Sequence, residues 1–249
     1  MLECVINISE GRDEARVASI AAAAGGALLD VHRDEHHHRS VLTLAGPDVE
    51  SRARAVAAAA VAAIDIREHR GVHPRIGAVD VVPFVPLPGT GATRADAIGA
   101  RDAFARWAGH ELGLPCFLYG PERTLPDIRR RAFAGLTPDA GPPTPHPTAG
   151  ACAVGARPIL VAFNVWLAPG TDVAVARAVA AAVRSPWVRA LGLDVGGRAQ
   201  VSCNLIAPDR VGPAALVDAV ANRAAVAGAE LVGLVPAAVL EAVPPEQWE

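Results

Sequence analysis

Residues 69–87 read His-Arg-Gly-Val-His-Pro-Arg-Ile-Gly-Ala-Val-Asp-Val-Val-Pro-Phe-Val-Pro-Leu, and the rest of the chain is organised around this stretch. An alanine-rich helical pattern precedes it, and we expect Gly71 to end that helix, with Pro74 preventing its resumption. The apolar residues that follow predict a buried strand over Ile76–Leu87. A histidine next to an arginine at such a junction suits acid/base chemistry and carboxylate binding. The alternative is that His73 is a structural histidine at a helix end.

Other polar clusters give weaker signals. His69 and His73 have the four-residue spacing of a zinc-binding pair, but the expected helix break lies between them, so no zinc motif is predicted. The turn 34–38 contains two carboxylates and three histidines. Successive turn residues point in different directions, which favours a solvated turn over a metal site. Ser9 is interpreted as a helix cap in preference to a nucleophile.

Composition limits the class of protein. The chain has 249 residues, 51% of them hydrophobic and 20% charged, with a formal net charge of −3. It can therefore bury a sizeable core. A nucleic-acid partner is not expected, because the net charge is negative and the short arginine run 129–131 is interpreted as a solvated helix face. No apolar run reaches the length of a membrane span, so we expect a cytoplasmic protein without a membrane partner. Four unpaired cysteines are expected to be buried free thiols: Cys4, Cys116, Cys152 and Cys203.

The order of predicted elements indicates the fold. The first half reads β-α-β-β-α-β, the split βαβ or ferredoxin-like signature, with its second helix predicted over Val49–Glu68. The second half reads β-α-β-α-β, and Val188–Val195 is left unassigned. A proline-rich segment over Leu136–Gly150 is either a linker or a rigid loop. We therefore predict two related α/β subdomains with a ligand cleft between them.

Several motifs carry a resemblance to a known family. The run His69–Asp80 fits the pattern HxGxHPRxGAxD and is the most specific of them. The others are distributed over nearly the whole chain: Asn7–Arg12, Leu28–Val31, Arg39–Val41, Pro138–Pro142, Gly155–Arg157 and Leu231–Pro236. Together these motifs resemble those of the glutamate formiminotransferase family.

The resemblance implies an activity and a fold. The activity is transfer of a formimino group from N-formiminoglutamate to tetrahydrofolate in histidine breakdown, with tetrahydrofolate as co-substrate and without a metal. The fold is an α+β sandwich of two ferredoxin-like α/β subdomains, placed here at residues 1–140 and 141–249. Their mixed sheets are expected to face each other, with helices on the outer faces, in a homodimer or larger assembly.

The resemblance also implies roles for individual residues. The family's catalytic histidine falls on His73 and its neighbouring arginine on Arg75. The folate-contacting loop falls on residues 141–150, so the proline-rich segment is expected to be a binding wall. The remaining expected contacts to the carboxylate-bearing substrates and to folate are Arg39, Arg157, Gly141, Pro142, Pro147 and Gly150.

Departures from the family pattern keep alternatives open, and one of them is His38, where the family usually has an asparagine. His32 stands where the family usually has an acidic residue, and we expect it close to His73 as a third catalytic residue. Ala149 replaces an aromatic residue of the folate loop. One alternative is formyl transfer between 5-formyltetrahydrofolate and an amino acid, and another is a folate-binding protein without turnover. Retention of both His73 and Arg75 favours an enzyme.

Overall fold

The computed structural model describes residues 1–235, so Pro236 of the last motif lies outside the described residues. It contains two β-sheets, of six and four strands. Contacts divide the chain into two units, Met1–Pro158 and Ile159–Glu249. The predicted fold class, α/β with two ferredoxin-like subdomains, is confirmed at the level of each unit.

The first unit carries the six-stranded sheet and four helices. Its strands are β1 (Leu2–Ile8), β2 (Leu28–Asp34), β3 (Arg39–Gly46), β4 (Val79–Pro86), β5 (Cys116–Tyr119) and β6 (Cys152–Ala156). Its helices are α1 (Glu14–Ala22), α2 (Val49–Ala63), α3 (Arg94–Glu111) and α4 (Leu125–Arg131).

The strand order of this sheet is β2-β3-β1-β4-β6-β5. The first four strands pair antiparallel, as the split βαβ pattern requires, while β6 pairs parallel with both β4 and β5. Helices α1, α2 and α3 pack on the sheet around a core that includes the fully buried Phe84 and Phe104. Three of the four cysteines lie in this unit, and all four are buried free thiols, as predicted.

Helix α2 ends earlier than predicted. It stops at Ala63, and Ile64 is already extended, with φ −111° and ψ 124°. The Asp65 side chain then accepts a hydrogen bond from the Arg67 backbone N–H and starts a separate 3₁₀ turn over Ile66–Glu68. A capping aspartate offers the backbone an alternative to continuing the helix. The prediction that Gly71 terminates this helix is therefore wrong.

The second unit is also a split βαβ. Its described elements are β7 (Val161–Leu167), α5 (Val173–Val183), β8 (Val188–Val195), β9 (Arg198–Leu205), α6 (Pro213–Ala221) and β10 (Val226–Val232). The strands form an antiparallel sheet in the order β10-β7-β9-β8, the same arrangement as the first four strands of the first unit.

Strand β8 is the element that the sequence prediction left unassigned. It forms a hairpin with β9 through the two-residue turn Gly196–Gly197, in which both glycines have positive φ. A Gly-Gly pair between two strands is a signal for a tight hairpin turn. The second half therefore reads β-α-β-β-α-β, and not β-α-β-α-β as predicted.

The division between the units falls after Pro158, whereas the sequence prediction placed it after position 140. Two sets of contacts explain the difference. Strand β6 completes the first sheet between β4 and β5. The segment just before β6 also pairs with the residues just before β4, through hydrogen bonds from Ala78 N to Ala149 O and from Ala151 N to Ile76 O.

Candidate functional site

The segment His69–Arg75 is an irregular loop that lies against the turn 34–38. Gly71 is needed here because of a close approach and not because of a helix end. A Cβ atom at Gly71 would collide with the carbonyl oxygen of His37 and with the His69 ring. Val72 N donates to His36 O at 3.4 Å, and Arg12 joins the same two segments by donating to Glu35 O and Arg70 O.

His73 is half-buried, and its contacts indicate its tautomer. Its Nδ1 lies 2.7 Å from the carbonyl oxygen of Pro74, which can only accept a hydrogen bond. Nδ1 therefore carries the proton, and Nε2 holds the free lone pair. The Arg39 Nη1 atom, 3.3 Å from the same Nδ1, is then a close cation and not a hydrogen-bond donor to it.

The charged surroundings keep the His73 imidazole neutral. Burial lowers its pKa most, Arg39 and Arg129 lower it further, and Asp80 and the Pro74 carbonyl oppose the shift, leaving the pKa well below the usual 6.5. At neutral pH this histidine is therefore an unprotonated base with its Nε2 lone pair available.

A buried network of ionic groups holds this arrangement. Asp80, at the start of β4, is fully buried and accepts from Arg39 Nη1 at 2.6 Å and from Arg129 Nη2 at 2.6 Å. Its other oxygen accepts from Ile76 N at 2.7 Å and from Arg129 Nη1 at 3.2 Å. Burial raises the pKa of Asp80, but the two arginines outweigh it and bring the pKa to about 2. Arg39 is further anchored by Asn7 Oδ1, at 2.9 Å from Nε and 2.7 Å from Nη2.

Arg129 corrects a prediction made from the sequence. The run 129–131 was expected to be a solvated helix face, and Arg130 fits that expectation with a side chain 66% exposed. The Arg129 side chain is only 18% exposed and reaches Asp80, 49 residues away in sequence. Arg129, next to the exposed Arg130 on helix α4, therefore belongs to the candidate site.

Arg75 supports the loop that carries His73. Its Nη1 donates to Gly71 O at 3.0 Å and to His73 O at 2.9 Å. These bonds tie the guanidinium to the backbone on both sides of Val72, so Arg75 fixes the position of the loop.

The turn 34–38 is not the solvated turn that was predicted. His37 is buried, and its Nδ1 lies 2.7 Å from Asp34 Oδ2, while its backbone N–H donates to Asp34 Oδ1 at 2.7 Å. The His37 ring meets the His73 ring edge to face, with centroids 6.0 Å apart. Burial raises the pKa of Asp34, but the His37 hydrogen bonds outweigh it and bring the pKa to about 2.

Two further histidines lock the turn to the loop. His38 has φ 51° and stacks on His69, with ring centroids 4.0 Å apart. His69 Nε2 donates to His38 O at 2.6 Å, and its Nδ1 accepts from Gly71 N at 3.1 Å, so both ring nitrogens are satisfied. Burial lowers the pKa of His69 to about 4, which keeps this ring neutral. Within residues 1–235, no three His, Cys, Asp or Glu side chains converge to hold a metal ion.

Glu10 and Ser9 hold the chain before α1. Glu10 is buried, and one of its oxygens accepts from the backbone of Gly11, Arg12 and Asp13 and lies 3.1 Å from His38 Nε2. Ser9 does not cap the helix, because its hydroxyl donates to Gly77 O at 2.7 Å. Asp13 is the N-cap, and it accepts from the Arg16 backbone.

The predicted folate loop lies beside the candidate site at one end only. Gly150 pairs with Gly77, and a Cβ atom at Gly150, which has φ 70°, would collide with Ile76 O. The loop is closed on itself by hydrogen bonds in both directions between the backbones of His146 and Gly150. Pro147 is exposed within that closed end. Gly141 and the half-buried Pro142 begin the loop elsewhere, with Gly141 against α3 and Leu114.

Of two other predicted residues, Arg157 lies away from this cluster and His32 lies on the edge strand of the first sheet. Arg157 follows β6, and its backbone N–H donates to Phe84 O near the far end of β4, roughly 13 Å along the strand from Asp80 at about 3.3 Å per residue. His32 lies on β2, opposite Val41 of β3. The charged groups that act most strongly on His73 are Arg39, Asp80 and Arg129.

Comparisons with known proteins identify the family of this chain. Residues 1–157 match the family model described as the formiminotransferase domain, N-terminal subdomain. Over 96% of its length the chain is 35% identical to a glutamate formimidoyltransferase of Streptococcus pyogenes, covering 90% of that protein. It is 38% identical over 74% of its length to a glutamate formimidoyltransferase of Thermoplasma acidophilum, covering 67% of it. It is 34% identical over 95% of its length to the formimidoyltransferase-cyclodeaminase of Sus scrofa, of which it spans only 50%.

Proposed function

This chain belongs to the formiminotransferase family and is a transferase of one-carbon groups, and from that premise we propose how its residues move a formimino group from N-formiminoglutamate to tetrahydrofolate. His73 is the acid/base group. The observation that carries this role is a half-buried imidazole held neutral, with Nδ1 donating to Pro74 O and Nε2 left free.

The proton transfers balance with one base. The secondary amine of the pterin attacks the amidine-like carbon, a new carbon–nitrogen bond forms, and His73 Nε2 takes the amine proton. When the bond between that carbon and the glutamate nitrogen breaks, the imidazolium returns a proton to the departing nitrogen. A pKa depressed by burial and by Arg39 keeps His73 in the form that the first step needs.

Arg39 and Asp80 position His73 and do not bind substrate in this proposal. Every guanidinium nitrogen of Arg39 already has a protein partner. Nε and Nη2 donate to Asn7, and Nη1 donates to Asp80 and lies 3.3 Å from His73 Nδ1. Asp80 is fully buried and lies between two arginines. A buried, satisfied ionic network of this kind fixes one arrangement of its members. Arg75 has a comparable role through the backbone of the loop.

The folate loop is proposed as a wall of the co-substrate site. Its support is the family resemblance together with the pairing of Gly150 and Ala149 with Gly77 and Ala78, which begins four residues after His73. Pro142, Pro147 and Arg157 are proposed contacts of the folate, and His32 a proposed neighbour of His73, on the resemblance alone.

The test is release of glutamate from N-formiminoglutamate in the presence of tetrahydrofolate. His73→Ala should lower the rate about 10²-fold to 10⁴-fold while the protein stays folded and still binds folate. His110→Ala is the matched control, because the His110 side chain is 85% exposed on helix α3. Near-full turnover of the His73 variant, combined with lost thermal stability, would show that His73 is a structural residue.

We further propose a cytoplasmic homodimer, on the family resemblance. Among residues 1–235 the structure has no helix both long and apolar enough to cross a membrane. Light scattering of the purified protein should give twice the monomer mass of 25.6 kDa. A monomer at micromolar concentration would rule the dimer out.

A further inference from the structure

The pair formed by Asp34 and His37 has no part in the steps above, although it lies next to His73. Both carboxylate oxygens of Asp34 are used on His37, one on the backbone N–H and one on ring Nδ1, each at 2.7 Å. An ionised carboxylate can only accept, so Nδ1 carries a proton, and Nε2 is an acceptor in the imidazole form of the ring. In that form the pair carries the one negative charge of the carboxylate.

The transferred group has the opposite character. The formimino group belongs to an amidine, and amidines are strong bases, so its terminal nitrogen is protonated near neutral pH and offers only N–H donors and positive charge. The formyl analogue ends in a carbonyl oxygen, which offers only acceptors. An acceptor site with negative charge therefore fits the first group and is mismatched to the second.

We propose that the Asp34–His37 pair is the specificity element of this site, with His37 Nε2 accepting a hydrogen bond from the terminal nitrogen of the formimino group. The inference rests on the proposed function, because it uses the position of the reacting carbon at His73. The support is proximity and burial. His37 is only 6% exposed as a residue, and its ring centroid lies 6.0 Å from that of His73.

The mismatch should be costly for a formyl donor. A carbonyl oxygen placed against Nε2 leaves two acceptors facing each other with their hydrogen bonds unmade. Sites built to accept a hydrogen bond from a substrate N–H discriminate strongly against analogues that lack it. We therefore expect the wild-type protein to favour N-formiminoglutamate over N-formylglutamate by at least about 10²-fold in kcat/KM.

Asp34→Asn is the decisive variant. The asparagine oxygen can still accept from the His37 backbone N–H, while its amide N–H₂ now donates to Nδ1 and moves the ring proton to Nε2. The pair then presents a donor without charge. The preference for the formimino donor should fall about 10-fold to 100-fold, in part through faster use of the formyl donor.

His37→Ala separates this effect from loosening of the turn. It removes the acceptor without creating a donor, so it should slow formimino transfer without any gain with the formyl donor. His36→Ala is the matched control, because His36 is the exposed neighbour in the same turn and should keep the wild-type preference. Thermal denaturation of each variant establishes that it is folded.

The experiment measures glutamate release from N-formiminoglutamate and from N-formylglutamate with tetrahydrofolate, and calorimetric binding of both donors. A wild-type protein that transfers the formimino group, with an unchanged donor preference in folded Asp34→Asn and His37→Ala, overturns this inference and leaves the proposed function intact. Binding without transfer overturns the proposed function. The ratio of the Kd values for N-formiminoglutamate and N-formylglutamate, compared between the wild type and the variants, then tests the role of the Asp34–His37 pair. Neither binding nor transfer of N-formiminoglutamate overturns both.

Discussion

Replacing Arg129 with methionine removes one of the two cations that neutralise a fully buried carboxylate. Arg129 contacts both oxygens of Asp80, at 2.6 Å and 3.2 Å, and its own side chain is 18% exposed. Methionine keeps much of the apolar length of the side chain. The substitution therefore tests the charge and its hydrogen bonds more than the packing of helix α4.

The size of the effect follows from what Asp80 keeps. Breaking a buried ion pair by removing one partner costs about 3–5 kcal/mol. Asp80 retains Arg39 at 2.6 Å and the Ile76 N–H at 2.7 Å, so we expect the lower end, about 3 kcal/mol. For a unit of this size, that corresponds to a fall in Tm of roughly 6–12 °C.

The same variant should change the titration of His73. Arg129 lowers the pKa of His73, and it also neutralises Asp80, which raises that pKa. Losing Arg129 therefore pushes the His73 pKa upward by both routes. The acidic limb of kcat/KM, where His73 becomes protonated and inactive as a base, should move to higher pH.

Arg130→Met provides the matched control. Arg130 is the next residue on α4, but its side chain is 66% exposed and pairs with Asp127 on the surface, so its loss should cost less than about 1 kcal/mol. Thermal and urea denaturation give the stabilities, and an NMR titration of His73 gives the pKa without relying on activity. Equal losses of stability in the two variants, or an unmoved His73 titration, would refute the role given to Arg129.

Three further outcomes are expected. Arg75→Ala should lower kcat about 10-fold or more with a smaller change in KM, because it releases the His73 loop; a rise in KM alone would instead indicate direct binding of a substrate carboxylate. His32→Asp should move the pH profile of activity upward if the two side chains communicate, and an unchanged profile would mean that they do not. Stability to urea should fall as the pH drops from 6.5 to 4, because only the unfolded chain protonates His69, whose folded pKa is about 4. It should fall again below the usual pKa of 3.8 as Asp80, with a folded pKa of about 2, loses its charge; a flat first stage would contradict the burial of neutral His69.

Much of the fold could be predicted from local pattern. The alternation of strand and helix periods in the first half gave the split βαβ order, and α5 was predicted over the residues that it occupies, Val173–Val183. Helix α2 was predicted too long, because residues 64–68 contain no glycine or proline to mark its end; the end comes from Asp65, which accepts a hydrogen bond from the Arg67 N–H. Strand β8 was left unassigned because its apolar residues do not alternate: Val188 and Ala190 lie on one face, and Leu191, which is 40% exposed, and Leu193 lie on the other. The Gly196–Gly197 turn was the usable signal.

By itself the sequence determined the family, the two α/β halves and the histidine at the centre of the site, because these depend on spacing and residue type over short ranges. Only the tertiary structure decided how that histidine is held. Asp80 meets Arg39 and Arg129 across 41 and 49 residues, and His37 reaches His73 from a turn that looked solvated. Such contacts have no period along the chain. They arise because β3 and β4 flank β1 in one sheet, which brings the two loops together, while Ile128 of helix α4 packs in one apolar cluster with Val81 of β4 and so carries Arg129 to Asp80. Burial of these side chains joins them into a single charged network.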